Sequence, residues 1–280
     1  MQPTREFKLP NLNVTASVKT DAGCVRETNE DNGRHITPFA GETQKKRGTL
    51  TIVADGMGGH SSGEIASEMA IDLVSRFYYE DESSSSNVAL KKAIEQASLE
   101  IYKTSITDEK YFGMGTTVVA LVLLNDKAFA AHVGDSRLYR LRERQMELLT
   151  IDHSQVMEMV KQGIISFDEA HTHDDKNIIL RAVGTQPKVE AEVSEPFAVE
   201  VGDEFLLCSD GLSDMVEDKE IHNVWLGAND IHSACEQLVE LAKARGGHDN
   251  ITVGIVRVSA SNEVETSRKV RITREIEALL

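Results

Sequence analysis

Five short acidic stretches hold the residues best suited to chemistry in this chain. They are NEDN (29–32), VADGMGG (53–59), VGDSR (133–137), CSDGLSD (208–214) and GGHDN (246–250). Four of them lie at the end of an apolar, strand-like run, and glycine adjoins or lies next to most of their aspartates. A lone Asp-Gly is an ordinary turn, because both residues favour turn geometry. Recurrence changes that reading. Strands in two facing sheets can bring their ends to one edge, and carboxylates gathered there repel one another unless cations sit among them. Carboxylate and carbonyl oxygens suit hard cations such as Mg²⁺ or Mn²⁺. Glycine lets the backbone approach and lend a carbonyl. Two such ions about 4 Å apart can hold a bridging hydroxide and clamp a phosphoryl oxygen. By itself, then, the carboxylate set suggests two-metal phosphoryl hydrolysis.

Rival chemistries find less support. A cysteine phosphatase needs Arg six residues after its Cys, but Cys24, Cys208 and Cys235 are followed at that distance by Glu30, Asp214 and Leu241. GMGGHSSG (56–63) has Ser61 where a dinucleotide fingerprint needs its third glycine, and no GxxxxGK[ST] occurs. A two-metal nuclease would use similar carboxylates, but a net charge of −16 and the lack of a basic stripe count against nucleic acid. Lys45-Lys46-Arg47 reads as one solvated hairpin tip. His153, His171 and His173 match no zinc spacing and read as solvent or flap residues.

The elements that must position the acids are legible as apolar runs. Strand-like segments occur at 49–55, 116–124, 127–135, 137–143, 203–210 and 250–258. Asn125-Asp126 and Asp135-Ser136 separate three of them, so 116–143 reads as an antiparallel meander. Residues 63–79 repeat Ile65, Met69, Leu73 and Phe77, and 87–104 repeat Leu90, Ile94, Ala97 and Ile101, two apolar helical stripes. Further helices are expected at 153–162 and 230–245, the latter ending at Gly246-Gly247. Helices cluster between strand blocks, which favours antiparallel sheets with helices packed outside over a doubly wound parallel sheet. Residues 163–180 break the periodicity and read as a flap, with Ser166 and Glu169 as a capping box. Residues 259–280 read as a tail or an added helix. Three scattered cysteines without C-x-x-C, no apolar leader and no run near 20 apolar residues point to the cytoplasm rather than a membrane.

In their order along the chain, VRETNEDN, VADGMGG, GMGTTVV, HVGDSR, FLLCSDGLSD and GGHDNITV resemble the successive motifs of the metal-dependent type 2C protein serine/threonine phosphatases, bacterial branch. The resemblance runs from residue 23 to about 258. It implies an α+β fold, a four-layer α-β-β-α sandwich, with 1–258 a single domain. It also implies hydrolysis of phosphoserine and phosphothreonine in proteins without a phosphoenzyme, by hydroxide held between two Mn²⁺ or Mg²⁺ ions, with a third, weaker ion nearby. Phosphorylated proteins, and a serine/threonine kinase acting in opposition, are the implied partners of a monomeric enzyme. Residue by residue, Asp55 matches the carboxylate bridging both metals, and Gly56 the carbonyl ligand of one. Asp210 and Asp249 match ligands of the other, and Asp135 a ligand of the third. Glu30 and Asp31 match acids that orient metal-held water, Thr117 and Asn250 residues that support it, and Arg26 the phosphate-binding arginine. Met57 stands where many eukaryotic members carry a proton-donating histidine; His60, three residues on, is a candidate substitute whose place beside Ser61-Ser62 before a helix is equally explained by capping. A catalytically weak or inactive relative that only binds metal or phosphoprotein is the alternative; loss of a metal carboxylate would be its mark.

Overall fold

Two antiparallel sheets face one another in the computed structural model, which describes residues 12–38, 46–58, 62–82, 84–107, 109–170 and 173–260. The first sheet contains β1 (Leu12–Asp21), β7 (Arg137–Arg142), β8 (Gln145–Leu148), β11 (Glu204–Cys208) and β12 (Ile251–Ala260), in the order β1-β12-β11-β7-β8. The second runs β10-β6-β5-β3-β2, from β2 (Asp31–Ile36), β3 (Thr49–Met57), β5 (Val118–Leu124), β6 (Lys127–Val133) and β10 (Phe197–Ala198). Two short strands attach to it: β4 (Gly115–Thr116) pairs with β3, and β9 (Glu192–Val193) with β6.

Side-chain alternation explains why the strands read as nearly continuous apolar runs. On β3, Leu50, Ile52 and Ala54 face the helices, whereas Val53 joins the layer between the sheets. On β11, Leu206 and Cys208 face outward to helices, and Phe205 and Leu207 inward. Both faces of these strands are buried, so neither can be polar. Helices α1 (Ser62–Glu80) and α2 (Ser86–Thr107) cover the second sheet. The first sheet is covered by α6 (Asp218–Gly227) and α7 (Ile231–Ala244), after the short α3 (Gln155–Lys161), α4 (Phe167–Ala170) and α5 (Asp210–Ser213). This is the four-layer α-β-β-α arrangement expected from the sequence. Among the described residues no helix is long and apolar enough to cross a membrane.

Four local readings need correction. The 116–143 meander holds only as far as β6. Asn125, at φ 57°, turns β5 back on β6, but Gly134, at φ 107°, sends the chain across to the other sheet, where β7 pairs with β11 and β8. That crossing carries Asp135. The α1 stripe at Ile65, Met69, Leu73 and Phe77 is only partly buried, and the fully buried line is Ala66, Ala70, Ile71, Val74 and Tyr78. Arg47 is no solvated tip. It is buried, donates to the carbonyls of Asp81 and Ser84, and lies 5.6 Å over the Tyr78 ring. The sequence reading also passed over α6, whose buried anchors are only Ile221 and Trp225. The Ser166–Glu169 capping box is present: the Ser166 N–H donates to Glu169 Oε2 at 2.7 Å and the Glu169 N–H to Ser166 Oγ at 3.3 Å. His60, His171 and residues 261–280 lie outside the described residues.

Candidate metal centre

The acidic stretches converge on one edge of the sandwich. Asp31 opens β2 directly opposite Asp55 near the end of β3. Asp210 follows β11, Asp249 precedes β12, and Asp135 sits in the crossing from β6 to β7. Their mutual influence shows how close they are. Burial first, then the negative charges of Asp31, Asp210 and Asp135, pushes the Asp55 carboxyl well above its ordinary range. Burial raises Asp31 to about 7, aided by Asp210 and Asp249 and opposed by hydrogen bonds from Ser209 and Thr252. Burial and then Asp214 and Asp249 raise Asp210 to about 6. Asp135 is likewise raised well above normal by burial and then by Asp210 and Asp152. Without a cation, burial and mutual repulsion make each of these groups keep its proton to a higher pH than an ordinary carboxyl does.

Divalent ions fit this edge. Asp135 Oδ1 and Asp210 Oδ1 are buried without a hydrogen-bond partner among the described residues. An unpartnered buried acceptor is costly, and divalent cations bound at this edge would satisfy these oxygens. A Cβ at Gly56 would collide with the carbonyl oxygens of Gly63 and Glu30, so only glycine lets these backbones meet.

The remaining expected residues hold this edge in shape. The Asp55 backbone is pinned from both sides: its N–H donates to Thr117 Oγ1 at 3.1 Å, and its carbonyl accepts from Thr117 N at 2.8 Å and Thr116 Oγ1 at 2.8 Å. Thr117 Oγ1 is also 2.6 Å from Ser136 Oγ, beside Asp135. Asn250 makes three hydrogen bonds to the loop that precedes β2. Its Nδ2 donates to Ala22 O at 3.0 Å and Thr28 O at 2.9 Å, while Oδ1 accepts the Glu30 N–H at 2.8 Å. That amide ties down the 22–30 loop and so positions Glu30. Glu30, raised by burial, accepts the Gly63 N–H at the start of α1. Arg26, half exposed at the rim, donates to Asp249 Oδ2 at 2.8 Å.

Several contributors were missed. Ser209 Oγ donates to Asp31 Oδ2 at 2.6 Å and accepts the Thr252 N–H at 3.0 Å, locking β11 and β12 to the acid. A cleft of about 630 Å³ opens beside Asp135 and Asp210, walled by Met157, Phe167, Lys176 and Asp214. Lys176 reaches across to Asp214 at 3.0 Å. Ser209 and Asp214 lie inside CSDGLSD, so the motif itself was their signal; Lys176 had none. His153 is also misread as a solvent or flap residue: it is buried, with its ring stacked on His132. Burial pushes the Cys208 thiol up to about 12, which fits a packing role and not a thiolate nucleophile.

An antiparallel α-β-β-α sandwich with aspartates gathered at one edge has the donor groups that metal-assisted phosphoryl hydrolysis requires. Residues 38–251 match the family described as Protein phosphatase 2C. The serine/threonine phosphatase stp of Listeria monocytogenes is 38% identical over 246 residues, covering 86% of this chain and 94% of its own. Among solved structures, the serine/threonine phosphatase Stp1 of Staphylococcus aureus has a TM-score of 0.80 at 32% identity, covering 92% of this chain and 100% of its own. The catalytic domain of the phosphatase PstP, solved in complex with 2 manganese ions, has a TM-score of 0.75 at 32% identity, covering 89% and 99%. The chain belongs to the protein phosphatase 2C family, in its bacterial branch, and is a serine/threonine phosphatase.

Proposed function

We propose that this phosphatase removes phosphate from phosphoserine and phosphothreonine in proteins with two Mn²⁺ or Mg²⁺ ions at the carboxylate edge. Asp55 would bridge them, Gly56 O would complete one site and Asp210 with Asp249 the other. Asp135 would hold a third, weaker ion. The observation that carries this reading is the pair of buried, unpartnered oxygens on Asp135 and Asp210 amid carboxylates that otherwise take protons. When bound, such ions polarise a phosphoryl oxygen and acidify water.

The chain's own residues supply the rest. Arg26 stands at the rim, free to exchange its contact with Asp249 for two parallel hydrogen bonds to a phosphate. Glu30 and Asp31 are acceptors that orient the attacking water. Thr117 and Asn250 fix the strand ends from which Asp55 and Glu30 project. Met57 cannot donate a proton, so protonation of the leaving serine falls to water or another side chain. The cleft between α3–α4 and the residues after α5 is the natural path for the flanking peptide. Its position next to the acids ties specificity to the 163–180 segment. Phosphoproteins of a cytoplasmic serine/threonine kinase are the proposed substrates, and a monomer the proposed form. The inactive-regulator alternative calls for a lost metal carboxylate, and Asp55, Asp210 and Asp249 are all present.

Hydrolysis of a phosphothreonine peptide tests the reading. Activity should vanish in chelator and return with Mn²⁺ or Mg²⁺. Full turnover by the metal-stripped protein would overturn it.

A further inference from the structure

A second cluster of ligating groups lies behind the Asp135 turn and uses none of the residues assigned above. His132, near the end of β6, stands opposite Glu192 of β9 in the strand register. His153, just before α3, stacks on His132 with ring centroids 4.5 Å apart and planes 13° from parallel. One nitrogen of each ring and one oxygen of Glu192 all lie within 4.8 Å of one another. We propose that His132, His153 and Glu192 form a separate binding site for a borderline transition-metal cation such as Zn²⁺.

The donor set and its supports favour that choice. Imidazole selects Zn²⁺ and its neighbours over the hard cations that suit the carboxylate edge, and two His with one Glu is a known three-ligand zinc set that leaves one position for water. His132 Nε2 lies 2.9 Å from the Ile151 carbonyl, which can only accept, so this nitrogen carries the proton and Nδ1 keeps its lone pair. Such a carbonyl partner is the usual outer support of a ligating imidazole. Burial lowers the pKa of both rings, that of His153 to about 4, so a cation meets neutral imidazoles near pH 7. Glu192, half exposed, gives the ion an anionic entrance. Asp152 adds negative charge near the cluster, while Arg181 and Lys161 oppose it. Zn–N bonds of ~2.0–2.1 Å set tetrahedral ligands roughly 3.3 Å apart. His153 Nε2 and Glu192 Oε2 already stand near that spacing, 3.2 Å apart, so closing the site falls to the His132 ring.

The site is mechanically linked to Asp135. The Gly134 N–H donates to His153 Nδ1 at 3.2 Å, and the His153 N–H donates to Gly134 O at 2.9 Å. In the metal-free chain the His153 proton is therefore on Nε2, shared with Glu192 Oε2 at 3.2 Å. A cation taking Nε2 displaces that proton. The neutral ring then carries its proton on Nδ1, where it can no longer accept from Gly134. Loading the site should loosen the turn bearing Asp135 and slow turnover. Only this consequence rests on the proposed role of Asp135; the binding site itself does not.

Cobalt titration of the whole chain in excess Mg²⁺ provides the test, because four-coordinate Co²⁺ absorbs strongly in the visible and six-coordinate oxygen-bound Co²⁺ does not. Wild type should develop the strong band with one equivalent of Co²⁺, and Zn²⁺ should abolish it. Glu192→Gln, a half-exposed change that keeps a hydrogen-bonding group, should weaken the band's apparent affinity at least about tenfold and leave Mg²⁺-supported hydrolysis unchanged. His132→Ala should remove the band, and Asp135→Ala should retain it. No band in wild type, or equal bands in wild type and Glu192→Gln, overturns the site. Zn²⁺ binding to the site without loss of turnover overturns its link to Asp135.

Discussion

Half-buried Asp55 and buried Asp135 offer carboxylates to the same edge, yet their surroundings assign them different work. Asp55 lies among Asp31, Asp210 and Asp135, and its backbone is held by Thr116 and Thr117. Asp135 hangs on the crossing between sheets, with one oxygen unpartnered. Asp55→Asn should therefore remove a charge from both core ions and empty the two sites together, abolishing activity. Asp135→Ala should leave two ions bound and the fold intact but slow turnover. Calorimetric metal counting decides the matter, and a variant Asp135→Ala that loses the core ions would refute the assignment. Arg26 invites a second substitution. It is half exposed, so its contact with Asp249 contributes little to stability. Against a phosphate dianion the same guanidinium contributes a charge-assisted contact of about 1.5–3 kcal/mol. Arg26→Ala should lower kcat/KM by about ten- to a hundredfold while thermal stability and metal count hold. Unchanged kinetics would place the phosphate elsewhere.

Elements decide whether such residues meet, and here the sequence was legible to different degrees. β3, β5 and β11 stood out because burial on both faces leaves an uninterrupted apolar run. Which sheet a strand joins did not show: Asn125-Asp126 and Asp135-Ser136 look alike as turns, but Gly134 makes the second a crossing. Arg47 was hidden because a basic triplet reads as solvated, while its partners Asp81 and Tyr78 are set by how α1 packs. His153 was hidden for a similar reason, since His132 and Glu192 meet it only through the fold. The carboxylates were readable because each carries its glycine or serine in a local motif. Thr117 shows what an element adds to a motif. Its hydroxyl accepts the buried Asp55 N–H and contacts Ser136. Thr117→Val keeps shape but strands both groups, so it should destabilise the fold by about 1–3 kcal/mol and weaken metal binding; an unchanged urea midpoint would argue against this coupling. In the 163–180 segment, Lys176 spans the cleft to Asp214. Lys176→Ala should alter rates on phosphopeptides more than on a small aryl phosphate, and equal loss on both would instead indicate a role in the chemistry.

At the scale of the whole molecule, the excess of acid gives a net charge of −16, and the gathered aspartates concentrate part of that charge inside the fold. Their titration links metal, pH and stability. Asp31 is raised to about 7 and Asp210 to about 6, each from an ordinary carboxyl value of 3.8. A carboxyl raised on folding holds a proton that the unfolded chain has lost, so its contribution is complete below about pH 4 and disappears as pH climbs through 6 and 7. Half-buried His35 and buried His132 and His153 act in the opposite sense: their pKa values are lowered, so the stability they confer is lost as pH falls. A bare stability curve therefore mixes two trends. The difference between melting temperatures in Mg²⁺ and in chelator separates them, because hard cations seek carboxylates and leave the imidazoles alone. At pH 5 Mg²⁺ must displace the proton of its ligand Asp210 and sits beside a still protonated Asp31, and the stabilisation should be small. By pH 7.5 both values have been passed and most of those protons have left. Mg²⁺ at a hundredfold excess over Kd should then add about 2.7 kcal/mol, or roughly 5 °C or more for a chain of this size. A stabilisation that stays constant from pH 5 to 7.5, or is greatest at pH 5, would mean that the cations do not replace protons on these aspartates and that Mg²⁺ binds elsewhere.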